Sequence, residues 1–131
     1  VIQEIQKGVS LSLIFDTSAL IQSIRRQNGF EEGSISVITL IEILRGIEDQ
    51  QKRGKTIALI KDAFDILDVN EEVVQSYVKL YFELKKKGEL ASDADELIAA
   101  TAHSKGETLV TTDKDFLKFE PFIKVKLLAA K

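Results

Sequence analysis

Short apolar runs alternate with amphipathic stretches along the whole 131-residue chain, and this alternation limits the fold more than any other feature. Residues 13–15, 35–38, 65–69, 108–110 and 124–128 have the length and apolar content of strands. Helical patterns lie between them: 18–27 stopped by Asn28-Gly29, 39–51, 55–64 after Gly54, Asn70 to about Lys87, and 95–104 before Gly106, with a helical turn at 115–118. The 39–51 helix carries an apolar stripe of Leu40, Ile43, Leu44 and Ile47. Glu71 and Glu72 open the long helix and Lys85, Lys86 and Lys87 close it, each suiting its pole of the helix dipole. Strands that take turns with helices pair in parallel, so the expected fold is α/β, a mostly parallel central sheet flanked by helices.

One domain spanning 1–131 is expected at this length. Residues 1–12 precede the first strand as a lead segment and are set aside; the chain has no methionine anywhere. No apolar run approaches the roughly 18 residues of a membrane helix, and no cationic, apolar leader is present, so a cytoplasmic protein with no membrane contact is expected. The absence of cysteine rules out disulfides, zinc–thiolate sites and thiol catalysis. The one histidine, His103, sits where a helix end favours it. Net charge is −3, so any nucleic-acid partner must be met by local basic groups or bound cations rather than by bulk charge.

Four carboxylates stand where a carboxylate is costly. The run "LIFDTSALI" ends its strand in Asp16, and "TLVTTD" repeats the pattern at Asp113. Sites in parallel sheets form beyond the carboxyl ends of strands; the alternative for both is a helix or turn cap. Asp95 shares a helix face with Ile98, Ala99 and Ala102, and Asp93 is expected to cap that helix in its place. Glu42 lies opposite the main stripe of its helix, where a solvated side chain is the cheaper reading. Ile38 and Ile41 flank it, however, and Gly46 within the helix calls for a close approach by another segment or ligand. Grouped without cations, four carboxylates repel one another. Grouped around Mg²⁺ or Mn²⁺, they are hard oxygen ligands of the right kind.

Asp16-Thr17-Ser18 after an apolar strand, Glu42 to Gly46, "DELIAATA" at 95–102 and "LVTTDKDF" at 109–116 together resemble the signature of PIN-domain ribonucleases. Order, spacing and length most resemble the VapC-type toxins of toxin–antitoxin pairs. The resemblance implies a PIN-like three-layer fold and a metal-dependent endoribonuclease. Its acidic cluster would be Asp16, Glu42, Asp95 and Asp113, with Asp115 as a fifth acid and Ser18 and Thr111 as hydroxyls bonded to carboxylates or to metal-bound water. It also implies Mg²⁺ (or Mn²⁺), an RNA substrate, an antitoxin that blocks the site, and a homodimer. Arg25, Arg26, Arg45, Lys52, Arg53 and Lys85 to Lys87 are candidates for the RNA backbone, against the alternative of solvated surface cations. The apolar faces Leu20, Ile21 and Ile24, and Val74, Val78, Tyr81 and Phe82, are candidates for the dimer. Rival readings are a housekeeping PIN nuclease of rRNA or tRNA processing and a non-catalytic acidic binding or signalling domain. A phospho-acceptor domain would want paired acids after the first strand and a lysine at a late strand end, and neither is evident.

Overall fold

The computed structural model describes residues 12–26 and 32–129, so the lead segment up to Leu11 and the Asn28-Gly29 stop lie outside the described residues. Among the described residues, five strands form one sheet: β1 (Leu13–Phe15), β2 (Gly33–Ser36), β3 (Phe64–Leu67), β4 (Thr108–Thr111) and β5 (Val125–Leu127). Their order is β3-β2-β1-β4-β5, and every pairing is parallel. Five α-helices connect them: α1 (Thr17–Arg26), α2 (Val37–Leu44), α3 (Gln50–Ala63), α4 (Glu71–Lys87) and α5 (Asp93–Lys105); a 3-10 helix follows at Lys114–Phe119.

Strand alternation divides the core between the two faces of the sheet. Ile14 and Leu109 face one way, onto Val73, Leu80 and Leu84 of α4, Ile98 of α5, and Phe116 and Phe119. Phe15 and Val110 face the other way, onto Ala19 and Leu20 of α1 and Ile60 of α3. The result is the helix–sheet–helix layering expected of a buried parallel sheet. Gly33 lets β2 lie close to β1: a Cβ there would stand 2.9 Å from Phe15 Cε1 and 3.0 Å from the Leu13 carbonyl oxygen.

Several boundaries differ from expectation, each for a local reason. The second strand is Gly33–Ser36 rather than 35–38, because the Ser36 hydroxyl accepts the Ile38 N–H and starts α2 early. The expected 39–51 helix ends at Leu44, and Asp49 caps a new helix by accepting the N–H groups of Gln51 and Lys52. Gly46 therefore lies just past α2, not inside it, and the close approach inferred from it falls away. Gly54 sits within α3, in open space, instead of breaking a helix there. Ser92, not Asp93, caps α5, while Asp93 accepts the Tyr77 hydroxyl. Asn70 caps α4 as expected, and Gly88 and Gly106 close α4 and α5 in the left-handed conformation, φ 69° and 65°. Of the apolar faces proposed for association, Leu20 is fully buried and Ile24 packs on the core, but Val74, Val78 and Phe82 remain exposed.

Candidate active site

Strand order reverses at β1: chain leaving β1 goes to β2 on one side, and β4 arrives on the other. The crevice at the carboxyl ends of two such strands is where α/β sheets place their sites. Asp16 follows β1, and Asp113 lies two residues beyond β4.

Asp16 is 3% exposed and densely bonded. Its Oδ1 accepts the Ala19 N–H at 2.8 Å and the Ser18 hydroxyl at 2.7 Å, and its Oδ2 accepts the Thr111 hydroxyl at 2.5 Å. Asp16 thus does cap α1, and the capping alternative holds alongside the site rather than against it. The two hydroxyls singled out in the sequence are the ones that fix it. They also organise β4's exit: Ser18 Oγ accepts the Thr112 N–H at 3.0 Å, and Thr111 Oγ1 accepts the Asp113 N–H at 2.9 Å. Burial pushes the Asp16 carboxyl above its ordinary range, the bonds from Thr111, Ala19 and Ser18 pull against that, and the Asp113 charge adds to it.

Asp95 joins the cluster from α5. With Ser92 as the cap, accepting the Asp95 N–H, the Asp95 carboxylate is not needed to end the helix. Burial raises it first, and then the charges of Glu42, Asp113 and Asp16 raise it further, against a bond from Ser92. The four acids from four separate elements therefore share one field. Glu42 is half-buried rather than solvated. Its Oε1 accepts the Thr17 hydroxyl at 2.5 Å, and its Oε2 stands 3.8 Å from the Arg45 guanidinium. Asp113 is exposed and caps the 3-10 helix by accepting the Asp115 N–H. Asp115 is exposed beside it, and among the described residues no hydrogen bond joins its carboxylate to the other four.

Thr17 is the residue that the sequence argument passed over. The signal was present, a second hydroxyl within Asp16-Thr17-Ser18, but nothing in the local sequence names a partner 25 positions away. His103 belongs elsewhere. Its Nδ1 lies 2.9 Å from Ser76 Oγ, tying α5 to α4, and burial and the Lys79 charge lower its pKa. It lies eight residues along the helix from Asp95, about 12 Å away at the rise of an α-helix.

No three of the described acids or histidines stand close enough together to enclose a metal ion as they are. The donor set nevertheless fits a hard divalent cation: carboxylate and hydroxyl oxygens, with Asp95 raised by burial and then by three neighbouring negative charges. A cation among them would relieve that repulsion.

Comparisons with known proteins show the family. The family profile of the PIN domain matches residues 11–120. Ribonuclease VapC1 of Methanocaldococcus jannaschii is 38% identical over 104 residues, covering 78% of this chain and 76% of its own. Ribonuclease VapC1 of Rickettsia felis is 33% identical over 123 residues, 84% of this chain and 92% of its own. The structure of VapBC2 from Rickettsia felis bound to a promoter DNA fragment superposes with a TM-score of 0.74 at 21% identity, covering 88% of this chain and 98% of that one, a likeness of fold. The chain belongs to the PIN-domain family and, within it, to the VapC-type ribonucleases.

Proposed function

We propose that the protein is an Mg²⁺- or Mn²⁺-dependent endoribonuclease, the toxin of a VapBC-type pair, working as a single cytoplasmic domain on RNA. What supports this is the placement of Asp16 and Asp113 just beyond the adjacent parallel strands β1 and β4, with Asp95 near enough that its carboxyl, raised first by burial, is raised further by the charges of Glu42, Asp113 and Asp16. Asp16, Glu42, Asp95 and Asp113 would hold the cation, and Asp115, one 3-10 turn away, is the acid available to a second one. When bound, a divalent cation acidifies water and neutralises charge on a scissile phosphate. The chain's own residues supply the rest. Ser18 and Thr111 fix the Asp16 carboxylate in place. Thr17 holds Glu42 by a hydrogen bond to one carboxylate oxygen. Arg45, largely exposed, is free to swing toward an RNA phosphate.

Partner and assembly follow the same reading. Ile41, Leu44, Ile47 and Ile57 line a groove that Arg45 also borders. Ile41 is 52% exposed there, and an apolar helix or tail of an antitoxin suits this surface, with a basic residue reaching the acids. The exposed row Val74, Val78 and Phe82 on α4 suits a two-fold homodimer. No described helix is long and apolar enough to cross a membrane. The test is incubation of purified protein with single-stranded RNA. Cleavage with Mg²⁺ or Mn²⁺ that stops in EDTA is expected; undiminished cleavage in EDTA, from a preparation free of other nucleases, would sink the reading.

A further inference from the structure

Ser18 turns back onto Asp16, whereas Thr17, one residue earlier, donates its hydroxyl across to Glu42 Oε1 at 2.5 Å. We infer that Thr17 is a positioning residue: it pins one oxygen of Glu42 and so keeps that carboxylate inside the acidic cluster. The inference rests on the reading of the cluster as a divalent-cation site.

Glu42 needs such a pin. It is a long side chain on the short helix α2, and the negative charge of Asp95 lies close enough to couple to it. Left to itself, it would gain rotamer freedom and lower repulsion by turning to solvent. Its other partner, Arg45, is 72% exposed and 3.8 Å distant, an ion pair of the kind that holds little in water. The Thr17 bond is short, part-buried and charge-assisted, the stronger class of hydrogen bond. Its placement is also fixed from behind. Thr17 is the first residue of α1, directly after Asp16, whose N–H bonds to the Val110 carbonyl and whose side chain is held by three donors. One short segment therefore sets two of the four acids: Asp16 by its own bonds and Glu42 through Thr17.

The experiment is a Mn²⁺ titration followed by electron paramagnetic resonance of free Mn²⁺, on wild type, Thr17→Val, Thr17→Ala and Thr17→Ser, with metal-free melting curves for each. Wild type is expected to bind Mn²⁺. Thr17→Val, which keeps the shape and removes the donor, should stay folded and bind Mn²⁺ about tenfold more weakly, the scale of one lost hydrogen bond to a charged group. Thr17→Ser should recover most of that loss. In RNA cleavage the loss should appear in kcat with KM unchanged. In a Glu42→Gln background, Thr17→Val should weaken Mn²⁺ binding far less than it does in wild type. Wild-type Mn²⁺ affinity in folded Thr17→Val would overturn the inference while leaving the metal site standing. Failure of both Thr17→Val and Thr17→Ala to fold would make Thr17 a structural residue and overturn it as well. Absence of Mn²⁺ binding in wild type would overturn the metal reading and this inference with it.

Discussion

Burial first, and then the charges of Glu42, Asp113 and Asp16, oppose the ionised form of Asp95, and a bound cation would offset both. Asp95→Asn should therefore leave the metal-free fold as stable as wild type or more so, while cleavage falls by more than about 100-fold, since even outer-shell partners of a metal account for about 10–100-fold. The pH dependence has a definite sign. The folded pKa of Asp95 is raised, so its contribution to metal-free stability is greatest below the unfolded value, near the ordinary aspartate pKa of about 3.9. That contribution is lost as pH rises through the folded value. The stability advantage of Asp95→Asn, measured by urea unfolding without metal, should widen over that same window and then level off. Thr111 shows the opposite balance. It is fully buried and serves Asp16 as donor and Asp113 as acceptor, so Thr111→Val strands a buried carboxylate oxygen and should cost about 1–3 kcal/mol in the same assay. The acids themselves were legible from the sequence, because strands ending in carboxylates and a helix with an unneeded Asp95 are anomalies that ask for a reason. Their bonding was not. One Asp16 oxygen caps α1 through the Ala19 N–H, while the other is held by Thr111, 95 positions away.

At the scale of elements, the strands other than β2 were readable from their apolar runs, and the helix ends were readable where a single residue type decides them, as at Asn70 and Gly106. The errors came where two residues competed. Ser36 and Asp49 are ordinary polar residues until the backbone around them offers N–H groups to accept; Ser36 then cuts an apolar run that continues past it, and Asp49 starts a new helix inside the range expected as one. Gly46 misled for the same reason: within an unbroken helix it looked like a close contact, and after Leu44 it is simply the exit. The close contact is at Gly33 instead, just ahead of the apolar run at 35–38. Gly33→Ala would press a methyl group onto the Phe15 ring and the Leu13 carbonyl, between β1 and β2. It should destabilise the protein by about 1–3 kcal/mol, the usual cost of overpacking, with the urea slope unchanged. Because β1 ends in Asp16, the same substitution should also slow cleavage at temperatures where the variant is still folded.

Across the whole molecule, the parallel sheet was legible because alternation of strand and helix leaves few topologies, but the order β3-β2-β1-β4-β5 was not. That order places β1 beside β4, so that the chain leaves two adjacent strand ends at Asp16 and, two residues on, at Asp113. Association is a separate layer. Val74, Val78 and Phe82 are about half exposed on α4 and add little to the core. Phe82→Glu should leave the melting temperature of the monomer fold nearly unchanged and shift a homodimer to monomer in light scattering; a wild type that scatters as a monomer would remove the dimer. The central claim, that Asp16, Glu42, Asp95 and Asp113 form one divalent-cation site, is tested most directly by anomalous diffraction from crystals soaked in Mn²⁺. The account predicts a peak at the β1–β4 crevice, about 2.1 Å from carboxylate oxygens of that set, a hard-cation distance. A map with no peak there, or with Mn²⁺ bound only by acids outside the cluster, would contradict it.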